Sequence, residues 1–197
     1  MNYYPIFLDL RGRPCLVVGG GEVATGKIEE LLKAEADVTV ISPKITQRIQ
    51  RYAELGGLRH LPRPYRVGDI KGYFLAYAAT GVAEIDVLMA GEASLQGVLL
   101  NVVNRPVLCS FVTPGVSQRG KLAIAISTPG ESPGFDRRVR QRITAFIYPE
   151  HGNVLATVAA QRQELVRERF KADEAGRRRL LELILESEWK KLHPRQN

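Results

Sequence analysis

The chain has 197 residues, 25% of them charged and 45% hydrophobic, proportions that suit one good-sized core with a smaller appendage and exclude intrinsic disorder. No apolar run reaches the roughly 20 residues of a membrane span, and Met1-Asn2-Tyr3-Tyr4-Pro5 carries no basic stretch leading into an apolar one, so a cytoplasmic protein without a membrane partner is expected. A net charge of +7 invites a polyanionic partner, either a small acidic substrate or nucleic acid.

Pro5 to Leu10 reads as a short extended segment, turned by Arg11-Gly12-Arg13-Pro14 into the apolar strand Cys15-Leu16-Val17-Val18. That strand breaks into Gly19-Gly20-Gly21 and continues as Glu22-Val23-Ala24 at the start of a helix reaching about Ala34, with Val23, Ile28, Leu31 and Leu32 on its apolar face. Gly19-x-Gly21-x-x-Ala24 fits the dinucleotide fingerprint: Gly19 permits the sharp turn, Gly21 lets a pyrophosphate approach the backbone, and Ala24 lets helix and strand pack closely. The helix start offers free N–H donors and a positive dipole end to that phosphate. A purely structural glycine turn is the competing reading; the position between strand and helix favours the cofactor.

Asp37 to Ser42 is a β-branched run suited to a buried parallel strand, which completes a βαβ unit. Ile45, Ile49 and Ala53 mark a second helix ended by Gly56-Gly57. A third strand is predicted over Leu58 to Leu61, a fourth over Tyr73 to Ala79, a helix over Ala83 to Gln96 and a fifth strand over Val98 to Val103. Such alternation predicts an α/β fold with a Rossmann-like, doubly wound parallel sheet and its ligand at the carboxyl ends of the strands. Gly19 to Val23, Ser42 to Lys44, Thr80-Gly81 and Asn104 then surround one crevice. Cys15 and Cys109 sit in separate apolar runs, and no metal site or disulfide framework is expected. His60, His151 and His193 read as surface residues.

Near residue 107 the pattern changes. Val107 to Thr113 and Lys121 to Ser127 are strand-like and read as a hairpin, followed by a loop over Thr128 to Gly134 and a helix over Phe135 to Phe146. Two further helices are predicted over Val154 to Ala172 and Arg177 to Lys191, separated by a turn ending in Gly176. The expected divisions are a dinucleotide domain over 1–113, a small β-hairpin dimerisation segment over 114–147 and a helical region over 148–197. An unpaired hairpin carrying Leu122-Ala123-Ile124-Ala125-Ile126 is an aggregation hazard, which suggests a homodimer; the alternative is that these strands extend the parent sheet. Arg137, Arg138, Arg140 and Arg142, then Arg177-Arg178-Arg179, form either solvated helix faces or anion ligands. Without helix-turn-helix spacing or aromatic interleaving, the nucleic-acid reading is the weaker one.

Several segments together carry a resemblance: Pro5-Ile6-Phe7 and Leu10, Val17 to Ala24 with Lys27, Ala78-Ala79-Thr80, Asn101-Val102-Val103, Phe111 before Pro114, and Ser132-Pro133 ahead of an arginine-bearing helix. On these the chain resembles the precorrin-2 dehydrogenase family, the dehydrogenase module of siroheme synthase, some members of which also insert iron into sirohydrochlorin. The resemblance implies NAD as cofactor, contacted by Gly19, Gly20, Gly21, Glu22, Val23, Ser42, Pro43 and Lys44, with Thr80 near the nicotinamide half. It further implies a homodimer interlocked through residues beyond about Thr113, and a carboxylate-rich tetrapyrrole bound between the cofactor domain and the rest, which gives Arg137, Arg138, Arg140 and Arg142 a client.

Two departures from the family pattern stand out. Ile41-Ser42-Pro43-Lys44 has no acid to hold the ribose hydroxyls, and Lys44 leaves NADP open beside NAD. Asn104 stands where the family commonly has a catalytic aspartate, and an amide accepts no proton near neutral pH and is a poor transition-metal ligand. The resemblance therefore implies NAD-dependent oxidation of precorrin-2 to sirohydrochlorin in siroheme biosynthesis, with Asn104 at the catalytic position and little or no ferrochelatase activity. Two other readings are a non-catalytic relative that binds a tetrapyrrole and, from composition alone, a nucleic-acid-binding regulator of Rossmann type.

Overall fold

A computed structural model of the chain describes residues 3–120, 122–127, 133–146, 156–161, 163 and 174–192, and the chain divides into two compact units, Met1–Thr113 and Pro114–Asn197. The first unit runs β1 (Pro14–Val18), α1 (Glu22–Lys33), β2 (Asp37–Ile41), α2 (Gln47–Glu54), β3 (Arg59–Leu61), β4 (Leu75–Ala78), α3 (Ala83–Gln96) and β5 (Leu99–Val102). The five strands are parallel in the order β3-β2-β1-β4-β5, the Rossmann-like arrangement expected. Strand order reverses between β1 and β4. Val18 pairs in register with both Ile41 and Ala78, and Ala78 with Val102, so four strand ends stop at one level.

Alternation along the strands builds two cores. Cys15, Val17, Val38, Val40, Leu75 and Tyr77 meet Ala24, Ile28 and Leu31 of α1 and Ile49 of α2 on one face. Leu16, Val18, Ile41, Ala76, Leu100 and Val102 meet Met89 and Ala93 of α3, with Tyr65 and Ile70, on the other. Both sheet faces are covered, which is why the strands read as continuous apolar runs rather than alternating ones.

The buried stripe of α1 differs from expectation at Val23, which is 54% exposed. Thr25 turns inward instead, its hydroxyl held by the carbonyl of Gly21 at 3.0 Å and by Thr46 Oγ1 at 2.9 Å. His60 lies within β3 and is half-buried, its Nε2 2.9 Å from the carbonyl of Ser42, so it is not a plain surface residue.

The strand expected over Val107 to Thr113 is absent. Pro106–Leu108 forms a 3-10 turn, and the next residues follow β5 without a backbone ladder. One backbone bond is made, from Ser110 N to the carbonyl of Leu100 at 2.8 Å, and side chains supply the rest of the pairing: Leu100 N donates to Ser110 Oγ at 2.8 Å, Val102 N to Cys109 Sγ at 3.1 Å, and Asn101 Nδ2 to the carbonyl of Phe111 at 2.9 Å. Apolar composition resembles a strand in both cases; what differs is which groups satisfy the neighbouring donors.

In the second unit a hairpin does form, but from β6 (Gly115–Arg119) and β7 (Leu122–Ile126). Among the described residues these two pair only with each other, so they do not extend the parallel sheet. Helix α4 (Pro133–Phe146) packs on them, with Ser117 Oγ 2.7 Å from Thr144 Oγ1. It starts at Pro133 rather than Phe135, as suits a residue whose missing N–H is not needed in a first turn. Residues 156–161 are helical (α5), and α6 spans Glu174–Leu192. The latter runs through Gly176, where a turn was expected; one glycine weakens a helix by only about 1 kcal/mol and good helix formers flank it. The loop expected over 128–132, most of the helix expected over 154–172, and His151 and His193 lie outside the described residues. Among the described residues, no helix is long and apolar enough to cross a membrane.

Candidate dinucleotide site at the strand ends

The three glycines after β1 have three separate reasons to be glycine. Gly19 adopts φ +125°, and a Cβ there would run into the carbonyl of Ala79, whose carbon lies 2.7 Å from that position. At Gly20 a Cβ would overlap the carbonyl oxygen of Lys44 and come within 2.7 Å of Ser42 Oγ. A Cβ at Gly21, by contrast, would meet no protein atom within 4 Å beyond its chain neighbours. Gly21 is also the N-cap of α1 and provides no side-chain cap, leaving the first-turn N–H groups to an outside partner. Gly19 and Gly20 thus shape the turn, while the space above Gly21 is open and faces a helix N-terminus, the arrangement that suits a pyrophosphate. The need for Gly20 was not visible in the fingerprint, which leaves that position free.

The loop after β2 is tied to this turn. Thr46 N donates to the carbonyl of Gly20 at 3.0 Å, and Ser42 Oγ donates to the carbonyl of Lys44 at 2.6 Å. Ser42 is buried, and its hydroxyl proton is engaged inside the loop; Pro43 and Lys44 are exposed at the rim. Glu22 projects into solvent from the first turn of α1, 3.8 Å from the Arg48 guanidinium, which also pairs with Glu29. Val23 is exposed beside it, an apolar surface available to a ligand.

After β4, Thr80 is held on both sides: its oxygen accepts from Val82 N at 3.0 Å and its hydroxyl meets Asp86 Oδ1 at 3.1 Å. Asp86, on α3, is 4% exposed and stands 3.4 Å from Arg105 Nε. Asn104, two residues beyond β5, is exposed and left-handed at φ 61°, a conformation that asparagine and aspartate tolerate better than most residues. Sequence reasoning named Thr80 and Asn104 but missed Asp86 and Arg105. An acid in a first helical turn is ordinary dipole chemistry, so nothing in the pattern set Asp86 apart.

Two buried groups of the first unit are moved away from neutral pH. Burial pushes the Cys15 thiol up to about 11 and the Tyr77 phenol up to about 12. Tyr77 OH lies 3.0 Å from Thr113 Oγ1, with its ring edge-on to Phe111 at 5.5 Å.

The arginines of α4 divide. Arg138 and Arg142, four residues apart on one helix face, line a concavity of about 590 Å³ with Val139, Gln141 and Ala145. Arg140 turns toward the hairpin, its Cδ 3.4 Å from where a Cβ of Gly115 would lie. Arg137 is on the same helix, and its side chain lies outside the described residues.

Residues 6–115 match the protein family described as "Putative NAD(P)-binding". The chain is 39% identical over 177 residues to the siroheme synthase of Methylobacillus flagellatus, covering 90% of this chain and 38% of that protein. It is 40% identical over 159 residues to the siroheme synthase of Photobacterium profundum, covering 81% of this chain and 34% of that one. It therefore spans little more than a third of the length of the curated relatives it matches. Among solved structures, SirC, precorrin-2 dehydrogenase, superimposes with a TM-score of 0.80 at 23% identity, covering 98% of this chain and all of that one, and so shares its fold.

Proposed function

This chain belongs to the NAD(P)-binding family matched over residues 6–115, and from that premise we propose that it is a cytoplasmic dehydrogenase that oxidises precorrin-2 to sirohydrochlorin with NAD. The observation that carries the dinucleotide half of the reading is the open, uncapped helix start at Gly21 beside a turn that Gly19 and Gly20 hold in place. The substrate half is supported by the siroheme synthases that the chain matches along most of its length, and by the fold shared with SirC, precorrin-2 dehydrogenase.

The residues fit the cofactor as follows. Gly21 and the first turn of α1, with Glu22 and Val23, take the pyrophosphate; the rim residues Pro43 and Lys44 with buried Ser42 take the adenosine ribose; Thr80 and Asn104 flank the nicotinamide. When bound, the nicotinamide supplies the hydride acceptor. The protein's share is then to hold the reacting carbon against it and to orient the substrate, for which the amide of Asn104 has both a donor and an acceptor. Protons leave to solvent or to the substrate's own carboxylates.

Arg138 and Arg142 are the carboxylate ligands on this reading, since they share the face that lines the concavity, whereas Arg140 packs on the hairpin. Formation of NADH on adding precorrin-2 tests the whole proposal. In the same assay Arg138→Ala and Arg142→Ala are each expected to raise the tetrapyrrole KM by about tenfold with little change in the KM for NAD. Equal effects on the two ligands would mark these arginines as a solvated face.

A homodimer built on the segment from about Thr113 to Phe146 completes the reading. A two-stranded hairpin is marginal by itself, and β7 presents Leu122, Ala123, Ile124 and Ile126 only half-buried. Light scattering at micromolar concentration should give twice the chain mass; a monomer would remove this part.

A further inference from the structure

We infer that Asp86 is a positioning residue for the reaction proposed above: its buried carboxylate ties the loop after β4, through Thr80, to the turn after β5, through Arg105. The inference deepens that reading and rests on it. Ala78 and Val102 are register partners, so the two loops leave neighbouring strands at one level, and Thr80 and Arg105 each lie two or three residues further on. Asp86 stands between them. Its Oδ1 takes the Thr80 hydroxyl at 3.1 Å, and its Oδ2 faces Arg105 Nε at 3.4 Å.

Helix stability alone does not account for this placement. Glu84 lies in the same first turn of α3 and is exposed, which is all that a favourable interaction with the helix dipole requires. Asp86 is instead 4% exposed, and a desolvated carboxylate is tolerated only when its oxygens are matched by donors. Its two partners, the Thr80 hydroxyl as donor and the Arg105 guanidinium as counter-charge, come from the strand-end loops. The result for Thr80 is a fixed hydroxyl: its oxygen accepts from Val82 N at 3.0 Å, and its nearer acceptor is Asp86 Oδ1 at 3.1 Å, with the carbonyl of Val82 at 3.4 Å. The result for the turn after β5 is an anchor at Arg105, the residue next to Asn104. Asp86 touches neither cofactor nor substrate on this account; it sets the two walls between which the nicotinamide end is placed.

The pyrophosphate is held elsewhere, at the glycine turn after β1, and this separation supplies the test. NADH and ADP-ribose, which lacks the nicotinamide, are titrated against the wild-type protein, Asp86→Ala and Asp86→Asn. Asp86→Ala is expected to weaken NADH about tenfold and to leave ADP-ribose within about twofold. Asp86→Asn keeps an acceptor for Thr80 and should recover most of the NADH affinity. Having lost the charge that holds Arg105, it should still show a lowered kcat with precorrin-2 and an unchanged KM for NAD. Equal weakening of both ligands, or of neither, overturns the inference, as does an asparagine variant that binds NADH no better than the alanine variant. If Asp86→Ala does not fold, Arg105→Gln removes the tie from the other side at a residue given no ligand contact, and must show the lowered kcat and unchanged KM for NAD expected of Asp86→Asn. A wild-type protein that leaves precorrin-2 untouched would defeat the proposed substrate, while the NADH and ADP-ribose titrations would still decide the role of Asp86.

Discussion

Gly21→Val is expected to weaken NADH binding at least tenfold in a calorimetric titration while the protein keeps its stability, whereas Gly20→Ala, a smaller change one residue away, is expected to destabilise the fold itself. The difference follows from what each new side chain meets. No protein atom lies within 4 Å of a Cβ at Gly21, so valine there intrudes only on the space reserved for a ligand, and one lost close phosphate contact is worth more than about 1.4 kcal/mol. A Cβ at Gly20 overlaps the backbone carbonyl of Lys44, and backbone cannot swing aside as a long side chain can. The carbonyl of Gly20 also accepts the Thr46 N–H that begins α2, so relief would move the glycine turn, the loop after β2 and the helix start together. About 3 kcal/mol or more of destabilisation is expected, a large part of what a single domain has. Unchanged NADH affinity in the valine variant, or a fully stable alanine variant, would reverse the division of labour drawn among the three glycines.

Asn104→Asp should raise the dehydrogenase rate by about 10²-fold, the low end of what a general base contributes, and create measurable iron or cobalt insertion. The left-handed backbone at φ 61° accepts aspartate as it accepts asparagine, so the exchange alters chemistry without strain. In the proposed site an amide can orient the substrate by hydrogen bonds, which preserves the positioning part of catalysis. Metal insertion asks for more, because two pyrrole protons must leave as the metal enters, and the amide cannot receive them. Among the described residues no group of His, Cys, Asp or Glu side chains is arranged to hold a metal ion. If the natural protein inserts metal as fast as it dehydrogenates, or if the aspartate variant is slower in both reactions, Asn104 is not a weakened catalytic position.

The parallel sheet was legible because its central strands β1, β2 and β4 are covered on both faces and so appear as largely apolar runs, with Gly19, Ser42, Thr80 and Asn104 falling just past the ends of β1, β2, β4 and β5. Where reading failed, composition was shared between alternatives. Val107 to Thr113 has the residues of a strand, yet it bonds to β5 through the side chains of Cys109 and Ser110, the carbonyl of Phe111 and a single backbone N–H, that of Ser110, a geometry that periodicity does not encode. Val23 and Thr25 exchange places in the buried stripe because a threonine hydroxyl found two partners, at Gly21 and Thr46, that lie outside any local pattern. Asp86 went unnoticed for the same reason: its importance lies in contacts to residues 6 and 19 positions away, not in its helix.

The segment beside β5 has a consequence for how molecules of this protein meet one another. The outer strand of an open sheet ordinarily offers its N–H groups as a template on which a foreign strand can zip up, and such growth has no built-in stop. Here Leu100 N and Val102 N are already taken by Ser110 Oγ and Cys109 Sγ, so this margin is sealed by the molecule's own side chains. Its amides should exchange with solvent as slowly as those of an interior strand, and self-association through this side has no free donors at Leu100 or Val102 to begin from.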